Sequence, residues 1–522
     1  MQTAQVLSAE IHKAPHSARD QLGENKMKFR NIALVTTALT ALGSVAMADT
    51  NTTYLSQNGT SNDALVVQAG DNNTAGTTSA NSMLQDGDDN NLDVSQSGDN
   101  NRAGSGNEFI QTGKSNIADL DQSGDNNRAN RLRQTATATT TAASTNIANM
   151  TQSSNNNLID RVDQRFSGTG TEAVNTLDIL QATGDGNVVS YAWQLGLGNN
   201  TDIQQTGENN AVSTFQYGTG PTGYSNGTFN DISVVMSGDN NGRGSLTGDY
   251  SGAETAFSAG AGGAPWSVGL RSATVTQRGN FNEASLDIMG NDNDFGVHQR
   301  GDSNDSLGIV ITGDLNSFSS DQVGDLNVIS LSTVTGDMNS IGFVQEGNNN
   351  LASADVIGDM NRARLMQTGN DNDTSLWVDG NSSTAALDVT GDSNVLRAQQ
   401  RWGDSNTMTV NLYGSFNNNS GSFFTDDALS ARNDANAVTG LTFGRGRLWQ
   451  HGTGNELTLD VGALGAGSDS NLFATLQQGD NNVIVGSISG GNNNQAVVAQ
   501  LGSFNTTNFS QTGSFNNMGV TQ

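Results

Sequence analysis

The chain has 522 residues and a formal net charge of −29, from 23 Lys and Arg against 52 Asp and Glu, a balance that excludes nucleic acid as a partner because phosphate binding needs the opposite sign. Apolar residues are 34% and aromatic residues 6%, while Gly fills 63 positions, too little apolar mass for several globular cores. Cysteine is absent, which removes disulfides and thiolate metal sites.

From the start of the chain, Lys26, Lys28 and Arg30 precede an apolar run at 32–45 that ends in Ala46-Met47-Ala48 before Asp49. This is the layout of a secretory signal peptide cleaved after Ala48, with residues 1–26 as an upstream extension and either Met1 or Met27 as the start. The run falls short of the roughly 20 residues that span a bilayer. Beyond Ala48 the balance is 18 basic to 49 acidic residues, or −31. Such acidity reads as colloidal protection for an aggregation-prone polymer in transit, and secondarily as a source of divalent-cation ligands.

A Gly-x-x-Asn loop then recurs every 11 or 12 residues. It divides the chain into curt repeats at 49–134, degenerate repeats at 135–180, repeats at 181–217, a Gly-rich insertion at 218–275, the longest unbroken block at 276–417, an insertion at 418–449 and a last block at 450–522. Pro221 and Pro265, the only prolines after the leader, fall in the first insertion, consistent with strands that cannot spare an N–H. A period this short leaves no room for a helix plus two turns, so each unit is one strand and one turn. About 27 such arcs make about 13 rungs of roughly 22 residues, on the order of 65 Å of solenoid.

Parity along the strand defines the inside. In 339–345, Asn339, Ile341, Phe343 and Gln345 share one face and Ser340, Gly342 and Val344 the other. The next arc places Asn350, Ala352, Ala354 and Val356 inward, with an apolar residue in the Gln place. Where a step is 12, as between Asn394 and Gly403, the inward set Asn394, Leu396, Ala398 and Gln400 survives and the extra residue falls in the turn. Stacked rungs would align inward amides in ladders, represented by Gln57, Asn62, Gln68, Asn73, Gln277, Asn282, Gln299, Asn304, Gln322, Asn327, Gln345, Asn350, Gln367, Asn372, Gln500, Asn505, Gln511 and Asn516. Turns would pivot on Gly279, Gly290, Gly301, Gly324, Gly347, Gly358 and Gly369, each free to take a positive φ. The expected fold is an all-β solenoid of stacked strand-turn-strand rungs, amyloid-forming through its open strand edges.

These residues resemble the curlin repeats of curli amyloid fibres, whose motif is a Ser followed by Gln-x-Gly-x-x-Asn-x-Ala-x-x-x-Gln. Gln57-Asn58-Gly59-Thr60-Ser61-Asn62-Asp63-Ala64-Leu65-Val66-Val67-Gln68 matches every fixed position after the Ser, and 361–367 and 494–500 match the second half. The resemblance implies a secreted, extracellular cell-surface fibre subunit for adhesion and biofilm matrix. It also implies three kinds of partner: copies of itself, a curli-type nucleator subunit and an outer-membrane exporter. Neither a cofactor nor catalysis is implied. The chain departs from the family in being several times longer than a usual subunit, in carrying Gly-rich insertions, and in lacking a non-repeat stretch between Ala48 and the first repeat.

Other candidates carry blander readings. Asp71, Asp99, Asp125, Asp302, Asp325 and Asp480, in the Gly-Asp-x-Asn loops, fit turn formation and charge better than a calcium ladder. His298 and His451 are expected to be solvated. Arg278, Arg300, Arg362, Arg364 and Arg401 belong on the outer face, offsetting stacked acids, and Trp377 is outward by parity, a candidate for adhesion. No acidic cluster stands apart from its repeat-mates, so an enzyme lacks a candidate site. The competing reading is a monomeric β-solenoid adhesin or a calcium- or ice-binding surface protein, which calls for capped ends; the repeat at 511–516 leads to the expectation of no C-terminal cap.

Overall fold

A computed structural model describes residues 50–78, 82–104, 109–137, 145–167, 174–217, 227–244, 246, 270–330, 333–419, 423–462 and 468–522, all within the compact unit Ala48–Gln522. The expected leader and both insertion prolines lie outside the described residues.

Alternating inward and outward side chains produce strands, mostly of seven residues, and the Gly-x-x-Asn loops turn the chain from one sheet to the other and back. Among the described residues the two sheets contain 22 and 18 strands, and their pairings are parallel. Ser340–Glu346 belongs to the first sheet, Leu351–Ile357 to the second and Arg362–Thr368 to the first again. Ser340 lies opposite Arg362 and Leu351 opposite Asp373, so a rung is 22 residues here. The protein is a β-solenoid. The second sheet is an open stack from Asp63–Ala69 to Asn517–Thr521, two strands that do not pair with each other.

Val328–Ser330 and Thr333–Thr335 are two pieces of one level, so the 18 strands of that sheet occupy seventeen levels, four more than the loops suggest. At about 4.8 Å per level the stack is roughly 80 Å long. The extra levels come from the stretch where the motif weakens and from 218–275, which supplies the strand Asp231–Ser237. Ile117–Ser123, Thr145–Gln152 and Val174–Ala182 pair in succession, and the ten-residue strands Arg128–Thr137 and Leu158–Ser167 pair along their length. These rungs are wider, with added length in the strands, but the inward Gln keeps them in register: Gln122 lies opposite Gln152 and Gln152 opposite Gln181. The stretch expected as an insertion at 218–275 is partly stack: Asp231–Ser237 is a strand of the second sheet, paired with Asn200–Thr206 and Glu283–Met289, and Asn241 continues the Asn column. In the first sheet Ala211–Tyr217 pairs directly with Thr274–Arg278, and in the second Val395–Arg401 pairs directly with Arg447–His451 across the other insertion.

The core is a thin slab of inward apolar residues, among them Phe295, Phe318, Ile341, Phe343, Ala352, Val356 and Leu365. Each fully buried Phe, Leu or Ile contributes about 1.5–3 kcal/mol. Extra length does not always go to the turn. Trp402, the added residue after the inward set Asn394, Leu396, Ala398 and Gln400, does sit outside at φ 62°. In Asp305–Thr312, however, the extra residue is in the strand. A bulge at Gly308, φ 67°, restores the inward order Ser306, Ile309, Ile311.

A helix, Asp426–Thr439, lies in the insertion at 418–449. Asp426 and Asp427 occupy its first turn, where the helix dipole favours negative charge, and Gly440 ends it in the left-handed conformation, φ 67°. Its Ala428, Ala431 and Ala435 pack with Trp449, Leu472, Ala474, Leu476, Val497 and Ala499 on the outer face of the second sheet. No helix among the described residues is long and apolar enough to cross a membrane.

Candidate functional site

The turn glycines take φ of 139° at Gly279, 125° at Gly290, 129° at Gly301, 116° at Gly324, 118° at Gly347, 107° at Gly358 and 121° at Gly369. Crowding adds to this conformational demand. A Cβ on Gly347 would stand 2.1 Å from the carbonyl oxygen of Gly369, one level on. Each turn also needs a second positive φ, at the residue before the Asn: Asn349 is at 58° and Ser303 at 57°. Asn and Asp, which tolerate this region better than other non-Gly residues, recur there, but Phe281, Leu315, Leu326, Met338 and Met360 take the same conformation, so the sequence signal for it is partial.

Four amide columns run along the stack. Asn327 donates its backbone N–H and its Nδ2 to Asn304 Oδ1, both at 3.1 Å, and Nδ2 also to the Gly347 carbonyl at 2.7 Å. Asn350 repeats this against Asn327. Inward Gln does the reverse. Gln277, Gln299, Gln322 and Gln345 each donate Nε2 to the Oε1 of the next, at 3.0, 2.9, 2.9 and 2.8 Å, ending on Gln367. A second Nε2 proton crosses the turn, as from Gln322 to the Asp305 carbonyl at 3.0 Å. Asn donors thus point toward the first level and Gln donors toward the last.

Asn73, Gln277, Asn282, Gln299, Asn304, Gln322, Asn327, Gln345, Asn350, Gln367, Asn372 and Gln500 are fully buried in these columns. Gln57, Asn62, Gln68, Asn505, Gln511 and Asn516 occupy the same columns in the first and last levels, with most of them partly exposed. Gln is not continuous along either sheet. In the second sheet it runs from Gln68 to Gln205, yields to Met236, Ile288, Ile311, Val334, Val356 and Val378, and resumes at Gln400. In the first sheet Gln367 is followed by Val389 and Leu412, and Gln511 restores the amide after Ile488. Through the middle of the stack one sheet supplies Gln where the other supplies an aliphatic residue.

The turn aspartates form a further column. Asp99 Oδ1 accepts the backbone N–H of Asp71 at 2.7 Å, and Asp125 accepts that of Asp99, Asp302 that of Asn280, Asp325 that of Asp302 and Asp480 that of Thr453, each at 2.8 Å. Among the described residues no group of three or more His, Asp or Glu is placed to hold a metal ion. On the outer face, in-register stacking also lines up acids. Asp231, Glu283 and Asp305 occupy one column, and burial together with Glu283 pushes the Asp305 carboxyl up to about 6.

The histidines are not solvated, because stacked neighbours cover them. His298 is buried with Nδ1 2.8 Å from Asp321 Oδ1 on the next level. His451 is buried beside Trp402 and Trp449, and burial and Arg401 lower its pKa to about 4. Trp377 is outward but not freely presented: the Arg401 guanidinium lies 3.8 Å from its ring centroid. Arg364 pairs with Asp388 at 2.5 Å, offsetting an acid on the outer face, and Arg278 lies opposite Arg300 and over Tyr217.

With this geometry, residues 87–124 and 272–301 match the model of the curlin associated repeat. The chain contains curlin repeats. None of the curated proteins compared with it matches. The first curlin match spans the pairing of Asn91–Ser97 with Ile117–Ser123, and the second spans Glu283–Met289 and the strands on either side of it. From these segments Gln122 donates to Gln152 and Gln299 to Gln322, while Asn282 donates to Asn230 Oδ1 and accepts from the Asn304 N–H, so the columns continue into neighbouring levels that carry the same loop.

Proposed function

We propose that the chain is a secreted structural subunit that assembles end to end into curli-like extracellular amyloid fibres for adhesion and biofilm matrix. The observation that carries this reading is the match between the terminal levels. Gln57 and Asn51 in the first sheet and Gln68 and Asn62 in the second stand where Gln511, Asn505, Gln522 and Asn516 stand at the other end of the described stack. A second copy would therefore continue all four amide columns, together with the backbone ladders, in register. Curlin repeats are structural rather than enzymatic, which accords with columns whose polar groups bond to one another. In this reading the leader at 1–48 directs secretion, export is through an outer-membrane pore, and growth starts on a nucleator subunit.

The test is seeded growth. Purified residues 49–522, added to sonicated fibres of the same chain, are expected to extend them and to bind thioflavin T. Aligned fibres should give the 4.7–4.8 Å reflection along the fibre axis. A chain that folds yet stays monomeric in the presence of seeds would refute assembly and leave the monomeric adhesin as the better reading.

A further inference from the structure

We propose that the helix Asp426–Thr439 clamps the joint between subunits by closing over Leu65 and Val67 of the next copy. This rests on the end-to-end assembly proposed above.

The outer face of the second sheet is mostly polar near its start. Its first level, Asp63–Ala69, is the exception: Leu65 and Val67 point outward and are 58% and 49% exposed. The same two columns hold Asp93 and Ser95 on the next level, then Asp119 and Asp121. The level that would meet another copy thus carries two exposed apolar side chains side by side, whereas the two levels after it carry acids and Ser there, and further along the Val67 column Leu180 stands alone.

At the opposite end the same columns are apolar and buried at Ala474, Leu476, Val497 and Ala499, half-buried at Gly519 and exposed at Thr521. Ala474 lies opposite Val497 and Val497 opposite Gly519; Leu476 lies opposite Ala499 and Ala499 opposite Thr521. The helix lies over them and reaches the last level. The Ala428 N–H donates to Asn517 Oδ1 at 2.8 Å, and Asn517 Nδ2 donates to the Thr425 carbonyl at 2.9 Å. Gly519 allows this approach, since a Cβ there would be 2.0 Å from the Asp427 carbonyl oxygen and 3.0 Å from Ala431 Cβ.

One flank of the helix is tied back to the stack. Asn436 Oδ1 accepts the Phe443 N–H at 2.8 Å, on the segment that returns to Arg447–His451. The opposite flank carries Asp427, Asp434 and Val438, all exposed, Val438 at 71%. When Gln68 of a second copy stacks on Gln522 and Asn62 on Asn516, Leu65 falls over Gly519 and Val67 over Thr521. Both side chains then enter the angle between sheet and helix, extending the Val497 and Ala499 columns by one level.

The absence of cysteine makes the joint directly testable. Two single-cysteine chains, Leu65→Cys and Ala431→Cys, are mixed, assembled on seeds and oxidised. Each chain carries one cysteine, so any disulfide joins two copies, and stacking sets Leu65 one level, about 4.8 Å, beyond Gly519, whose Cβ position lies 3.0 Å from Ala431 Cβ, which puts the two cysteines within reach of each other. A mixed dimer on a non-reducing gel, from fibres and not from monomers, is the expected result. A second arm uses Leu65→Ser with Val67→Ser, expected to add to wild-type seeds at least tenfold more slowly than wild type. If wild type fails to extend seeds, assembly itself is refuted and the clamp with it. If wild type extends seeds while the mixed dimer is absent and the double variant adds at the wild-type rate, the clamp is refuted and assembly stands.

Discussion

Replacing Gln322 by Leu tests whether the amide columns hold the rungs together. Gln322 is fully buried and makes four bonds: Nε2 donates to the Asp305 carbonyl at 3.0 Å and to Gln345 Oε1 at 2.9 Å, while Oε1 accepts from Gln299 Nε2 and Ser306 Oγ, both at 2.9 Å. Leu keeps the volume and removes all four. Gln299 Nε2 retains the Glu283 and Asn304 carbonyls, and Ser306 Oγ retains Ser320, but Gln345 Oε1 loses its donor from the level before. One orphaned buried acceptor costs about 1–3 kcal/mol, and each lost bond about 1 kcal/mol before the gain from burying Leu, for a net of about 3 kcal/mol. That is roughly a hundredfold in local opening. Each level contacts chiefly its neighbours, so a global midpoint would dilute the effect. Amide hydrogen exchange in Ser317–Val323 and Ser340–Glu346 of the full chain reads it directly, with outward Gln399→Leu as a control expected to change little. A loss of protection under about fivefold at Gln322→Leu would refute the view that the columns bind level to level.

Two glycines separate conformation from crowding. Gly308→Ala meets no atom within 4 Å and bears only its positive φ, for about 1 kcal/mol. Gly347→Ala adds a collision with the Gly369 carbonyl and is expected to cost about 3 kcal/mol or more; equal urea midpoints for the two variants would contradict the stacking argument. The outer acid column predicts a pH effect. Because the folded Asp305 holds its proton up to about 6, the folded chain binds more protons than the unfolded one between the ordinary carboxylate pKa and that value. Its stabilisation is therefore complete below the ordinary value and is lost as pH rises through about 6. For a half-buried group this amounts to on the order of 1 kcal/mol after solvent screening. Asp305→Asn is expected to raise the urea midpoint at pH 7.5 relative to wild type and to change it little at pH 3, by circular dichroism; a wild-type preference for pH 7.5 at this site would contradict the sign.

The rung was legible in the sequence because strand periodicity has no slack. The six-residue step from Asn339 to Gln345 is even, so both amides and the apolar residues between them must share a face, and the structure buries all four. What parity cannot register is compensation. A bulge at Gly308 adds a residue to a strand and restores the face within two positions, so a count of positions alone shifts the frame there. Loop counting likewise missed levels in 131–180, where Ser154 stands in the Gly place and the strands lengthen, yet the inward Gln122, Gln152 and Gln181 still mark three successive levels. The helix is invisible to a repeat-based reading because it lies in an insertion, and its apolar face is only three alanines wide. Its position is betrayed instead by the sheet beneath it, where outward Leu472, Leu476 and Val497 replace the usual polar residues. The same test applied to the first level would have drawn attention to Leu65 and Val67.

The direction of the columns makes a final demand on assembly. Where stacked Gln side chains bond to one another, Nε2 donates toward the last level, as Gln299 does to Gln322, whereas the Asn backbone N–H donates toward the first, as Asn327 does to Asn304; the Gln chain is interrupted at Gln164 and Gln194, whose Oε1 atoms accept no bond. The first level therefore presents Gln oxygens and Asn N–H groups, and the last presents Gln amide protons and Asn oxygens. Two first levels brought face to face would set oxygen against oxygen in the Gln columns and N–H against N–H in the Asn columns. They would also oppose the strand directions of an otherwise parallel stack. Only head-to-tail addition satisfies both kinds of column, so fibres must be polar. Their two ends offer different groups to an incoming chain, and only the last level carries the helix. Growth from seeds labelled in one colour with monomer in another, followed by fluorescence microscopy, is expected to lengthen the two ends at rates differing severalfold. Symmetric growth from seeds, with seed-to-seed junctions of either orientation in equal numbers, would show that the amide columns do not direct the joint.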